Sequence, residues 1–165
     1  RLSTRVGPDG VAQLLDDQPR EHWDGRLIVA GLAHLERSAA GEELTVWHLR
    51  AEIAALHTTA PSARATDWPR IAAIYDRLIE IDPSPVVALA RAVAIGRARG
   101  AAAGLDALPP LEASPYAHAA AGVFLSELGR GREARNEFEK ALALVRTEPE
   151  RRLMERRLRD PHLSS

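Results

Sequence analysis

The amino-acid sequence predicts an all-α protein: a short array of helical hairpins with a further helix at each end. Three observations predict it. No segment alternates with period two for long enough to argue a strand. Apolar residues recur at helical spacing along most of the chain, and proline and glycine fall where helices start and stop. Composition agrees, since thirty of the 165 residues are alanine and only 4% are aromatic, a bias that suits closely packed helices. A chain of this length buries about 70% of the surface it exposes unfolded, enough for a real core in one domain.

Residues 1–18 read as an irregular lead-in, with a turn signal at Gly7-Pro8-Asp9-Gly10 and room for a short hairpin. A first helix is expected over 19–40. Pro19 suits the first helical position with Asp17 or Gln18 before it as cap, and Trp23, Leu27, Gly31 and Leu35 follow at i+4 steps beside Ile28 and Leu32. Leu44 to His57 reads as the second helix, with Val46, Leu49, Ile53 and Leu56 on its apolar side. After a loop, Asp67 is placed to cap a helix whose first turn holds Pro69, and Pro83 ends it. Ser84-Pro85 and Ser114-Pro115 repeat the same device, and Gly100 and Gly129 supply the stops. The last helix starts at Thr147-Glu148-Pro149-Glu150, which has capping-box spacing, and closes before Pro161.

Helix pairs recurring about every thirty residues call for a solenoid test. From Tyr116 to Pro149, Gly122, Gly129, Ala134, Phe138 and Ala141 stand where a tetratricopeptide repeat (TPR) keeps its small, turn and packing residues. Ile71, Tyr75, Leu78, Ile79 and Pro83 match the second half of another repeat. The stretch from Val86 to Leu108 keeps the Gly100 turn but puts Gly96 where an aromatic is usual. The expected fold is therefore a TPR-like right-handed solenoid, with about three degenerate repeats over 44–147 and a capping helix over 148–160. A non-repetitive helical bundle is the alternative.

Charge and composition narrow the chemistry. A net charge of −1 argues against a domain whose main work is gripping phosphate, although 21 of its 22 basic residues are arginine. The absence of cysteine excludes disulfides, thiolate metal sites and a cysteine nucleophile. No apolar run approaches the ~20 residues that span a bilayer, and no signal-peptide pattern opens the chain. A cytoplasmic protein is expected, and the start at Arg1 is what a domain cut from a longer protein shows.

Longer strings sharpen the reading. The chain carries Leu14-Leu15-Asp16-Asp17-Gln18-Pro19-Arg20, Trp23-Asp24, Ala51-Glu52-Ile53-Ala54-Ala55-Leu56-His57 and Thr66-Asp67-Trp68. Ser84 to Leu89, Arg91 to Ala94, Leu128-Gly129-Arg130, Glu150 to Leu153 and Arg156-Arg157-Leu158 follow in order. Together they resemble the TPR-like C-terminal extension of a group of bacterial extracytoplasmic-function (ECF) sigma factors, from about Gly10 to Leu158. The resemblance implies two further N-terminal modules that read the promoter. It also implies an extension that controls sigma activity through its own sigma modules, core RNA polymerase or a partner protein. A small YCII-like protein is a candidate partner. Direct DNA contact, a membrane role, a cofactor, a metal and enzymatic activity are not expected of this domain. The chain departs from the group at Pro19, where aspartate is usual, at Ala90, where asparagine is usual, and at Trp47, His48 and Arg50, where tyrosine and glutamines are common.

Several residues carry a structural and a functional reading side by side. Asp17, Gln18, Trp23 and Asp24 make either a capped helix start over a core tryptophan or a polar patch with an aromatic anchor. Asp67 and Trp68 cap and pack, or present a loop surface with Thr66. His48 and Glu52 share a helix face and could hold a metal. However, His57 points about 140° away from Glu52 on an ideal helix, and no further ligand is fixed. Arg91, on an apolar helix, needs a carboxylate from Asp67, Asp76 or Asp17, or faces a partner. The mixed charges from Glu148 to Asp160 suit a solvated capping helix.

Overall fold

The structure, a computed structural model, describes residues 5–13, 18, 20–38, 45–110, 114–160 and 163. Among these the fold is all-α. Eight helices run in order as α1 (Gly25–Ser38), α2 (Val46–Thr59), α3 (Trp68–Ile81), α4 (Pro85–Arg99), α5 (Ala101–Asp106), α6 (Pro115–Glu127), α7 (Gly131–Leu144) and α8 (Glu148–Leu158). Each packs chiefly on its sequence neighbours, so the chain is an array of helical hairpins. α4 also meets α6, its counterpart in the next pair.

The polar caps read from the sequence open three of these helices, α3, α4 and α6. Carboxylate or hydroxyl oxygens of Asp67, Ser84 and Ser114 accept amides three residues on, at 3.0, 3.5 and 3.2 Å. In each case a proline follows within the first turn, where its missing N–H leaves no orphan. Gly100, at φ 100°, ends α4 and leads directly into α5. Gly129, at φ 73°, lets the chain close α6 with the amide of Arg130 on the Leu125 carbonyl (2.9 Å) and its own amide on Ser126 (3.0 Å).

Two helix starts differ from the sequence expectation. The helix expected over 19–40 begins at Gly25, after a 3-10 turn at Arg20–His22. The Asp24 carboxylate accepts the amides of Arg26 (2.9 Å) and Leu27 (3.2 Å), so Asp24 is the cap, and Trp23 precedes the helix instead of lying on it. Asp17 and Pro19 lie outside the described residues, as do Leu44 and residues 39–43. At α8 only half of the capping box forms, with Glu150 taking the Thr147 backbone amide. The Thr147 hydroxyl donates to the Glu150 carboxylate at 2.6 Å instead of accepting an amide.

The core has two lobes. Leu49, Ile53, Ile71, Ile74, Leu78, Val87 and Ile95 unite α2, α3 and α4. Leu125, Ala134, Phe138, Ala141, Val145, Leu153 and Met154 unite α6, α7 and α8. A glycine notch joins them. Gly96 of α4 and Gly104 of α5 face each other beneath the Phe124 ring of α6, and a Cβ on Gly96 would sit 2.4 Å from that ring. The aromatic missing at position 96 is thus supplied from the next pair.

The lead-in forms the short hairpin that its turn signal predicts. Val6 and Ala12 make an isolated antiparallel bridge. Val11 is buried in the C-terminal lobe, as is Leu163. The Ala12 amide donates to the Pro149 carbonyl (3.1 Å), and Arg152 donates to the Asp9 carbonyl (3.2 Å). A few residues later Arg20 reaches the opposite end of the array. It donates to the His57 and Ala60 carbonyls at 2.8 and 2.6 Å and to the Thr66 hydroxyl at 3.1 Å. The N-terminal segment is a strap between the last helix and the α2–α3 corner.

Candidate functional site

Two regions stand out, and one of them, the α2–α3 corner, gathers several of the residues singled out in the sequence. At the α2–α3 corner, the C-terminal carbonyls of α2 need cationic or donor partners because no further turn satisfies them. Arg20 supplies both, and its guanidinium also lies 5.3 Å from the Trp23 ring centroid. The His57 ring meets Trp68 edge-on, with centroids 5.2 Å apart. Trp23, His57 and Thr66 are buried, and so is Gln18, which donates to the Gln13 carbonyl at 3.4 Å. The structure therefore ties Trp23, His57 and Trp68 into one corner through Arg20. Arg20 is not legible as a site residue in the sequence. Its only signal was a charged residue in a string otherwise explained by capping.

The remaining residues serve separate structural tasks. His48 turns back to accept the Thr45 amide at 3.2 Å, so it stabilises the start of α2. Glu52 is taken by Arg70 of α3 (2.7 Å), Asp82 by Arg50 of α2 (2.7 Å) and Asp76 by Arg91 of α4 (2.6 Å). Asp76 is thus the carboxylate that Arg91 requires, and the pair is half-exposed. Asp67 caps α3. Hydrogen bonds from Ser84, with Arg50 nearby, hold the Asp82 carboxyl below its ordinary range. No group of three or more metal-ligating side chains forms among the described residues. Trp47 is well exposed, with the Arg50 guanidinium 5.7 Å from its ring centroid.

The second region is a groove that the sequence did not single out. It occupies about 570 Å³ between α4, α6 and α8, with Ala12 of the strap in its wall. Its lining is mostly apolar, from Leu89 and Val93 through Ala119, Ala120, Val123 and Phe124 to Leu153 and Met154. Polar contacts mark its rim. The Tyr116 hydroxyl donates to Glu150 (2.8 Å), and Arg97 faces Glu127 at 3.7 Å. The bond to Glu150, with some burial, raises the Tyr116 pKa, while Thr147 and Tyr116 lower that of Glu150. The groove arises because the first helices of successive pairs line one face of the array with alanines and modest apolar side chains. A shallower space of about 300 Å³ separates α1 from α2, lined by Leu27, Gly31, Leu35, Ala51 and Ala55.

No described helix is long and apolar enough to cross a membrane. No family model matches the chain. No solved structure matches it significantly. It is 36% identical over 149 residues to an uncharacterized protein of Rhizobium meliloti (strain 1021), in an alignment covering 88% of this chain and 35% of that protein. The chain spans about a third of the length of that curated relative.

Proposed function

We propose that this chain is the TPR-like C-terminal regulatory domain of an ECF RNA polymerase sigma factor, acting in the cytoplasm by binding and not by catalysis. The observation that carries the reading is the ordered set of strings from Leu14 to Leu158, which resembles that extension over nearly the whole chain. Three further points support it. The fold is an array of helical hairpins. It offers an apolar groove with a polar rim, which suits a protein partner better than a reaction. The Rhizobium relative extends far beyond the shared stretch, as a protein with additional modules does. The domain would gate promoter recognition through contacts with its own sigma modules, core polymerase or a small YCII-like protein.

A pull-down of the domain against its sigma modules and core polymerase tests this. Retention of either is expected. Binding to neither, together with unchanged transcription after deletion of the domain, would overturn the reading. The groove also favours a second reading, a free-standing adaptor that holds an unrelated peptide there. A gene whose upstream portion encodes no sigma modules would favour that alternative.

A further inference from the structure

The strap and the groove share a wall. Residues 9–12 are pinned to α8 by the Ala12–Pro149 and Arg152–Asp9 bonds, and Ala12 itself lines the groove between α4, α6 and α8. Polypeptide arriving from the N-terminal side is therefore delivered to the edge of this groove and not to α1, although α1 comes first in sequence. A tethered segment meets its site at an effective concentration in the millimolar range, so a modest apolar contact is enough to hold it. The same groove would bind a free peptide of similar chemistry weakly.

We propose that the connector preceding this domain in the full protein docks an amphipathic segment in the α4–α6–α8 groove. This rests on the sigma-factor reading, which places further modules upstream. The groove dictates the chemistry of the segment. A few apolar side chains would enter between Val93 and Val123. Charges of both signs would flank them, since Arg97 and Glu127 stand side by side on one rim. Docking there would fix where the upstream modules sit relative to the array, and release would free them.

This chain holds no cysteine, so with any cysteine of the upstream modules replaced by serine, one introduced thiol gives a site-specific test. Tyr116, on the rim, is 59% exposed. In the full protein, Tyr116→Cys carrying a short thiol-linked photocross-linker is expected to capture the connector within the same molecule. Ala120→Trp, which fills the floor, or Val93→Glu on the opposite wall should lower that yield at least tenfold. Capture of another molecule in a concentration-dependent way would identify a second copy as the occupant and overturn the proposal. So would the absence of any cross-link, and Tyr116→Cys decides this even where a groove variant fails to fold. Binding of the full protein to core polymerase is scored separately. Its loss would sink the sigma-factor reading while an intramolecular cross-link would still stand.

Discussion

Phe124 lies over Gly96 and Gly104, and this contact sets how closely α4 and α5 approach. A Cβ on Gly104 would sit 2.7 Å from the Gly96 Cα and 2.6 Å from the Phe124 ring. A ring can tilt, but backbone can move only if the helices part. Overpacking of this kind costs about 1–3 kcal/mol, against roughly 1 kcal/mol gained from helix propensity. Gly104→Ala is therefore expected to lower Tm by a few degrees in calorimetry. An unchanged or higher Tm would mean that the helices can separate freely. The sequence showed a glycine where an aromatic is usual, but it could not show that a ring from a later helix fills the place.

His118 and Glu137 form a buried side-chain hydrogen bond, with Nδ1 and the carboxylate 2.6 Å apart. Burial opposes ionisation of Glu137, yet hydrogen bonds from Lys140 and His118 outweigh it and hold its pKa below the usual value. A depressed carboxylate pKa stabilises the fold above the unfolded value, and that stability is lost as pH falls through the folded one. Urea melts should weaken below about pH 4.3, the ordinary glutamate value. Glu137→Gln should be less stable at neutral pH and show a shallower acid slope. An acid slope unaltered by the substitution would assign it to other carboxylates.

At the scale of elements, α1 differs from its neighbours. None of its described side chains is buried, and its apolar stripe faces small residues of α2 across a gap. Asp24→Ala removes the two hydrogen bonds at its start, worth about 1 kcal/mol. The expected result is faster amide exchange confined to α1, by about fivefold, with little change in global Tm. A drop in Tm matching a core substitution would place α1 within the cooperative unit. Helices that open on Ser-Pro or Asp-x-Pro were legible because one local signal satisfies both the amides and the backbone angle. The first helix was not, since Pro19 with an acid before it gives the same local signal as a true start. Only the hydrogen bonds of Asp24 reveal where the helix begins. His48 and Glu52 share a helix face, yet one bonds Thr45 and the other Arg70, and sequence spacing does not register such partners.

At the scale of the whole molecule, the strap couples parts that helix packing alone keeps separate. Asp9 and Arg152 meet although 143 positions apart, a contact that closes a long loop. Val11 seats among residues of α6, α7 and α8. Val11→Asp would place a charge there, or expel the strap, and should cost about 2–3 kcal/mol. Exchange should then rise first in α7 and α8, the helices remotest in sequence, while α2 and α3 keep their protection. A loss centred on α2 would contradict this arrangement. The turn at residues 7–10 was readable, but its destination was not, because nothing local specifies a contact across the whole chain.

Val11 and Leu163 share one cluster, so two segments far apart in sequence meet in a seam over α8. The order in which the hairpins occur along the polypeptide is then separable from their order in space. In this domain taken alone, a linker from Leu163 back to the hairpin that carries Val11, with the chain opened between α5 and α6, would give a circular permutant with the same contacts in a new sequence order. It should fold to the same two lobes, and the former strap would become an internal loop.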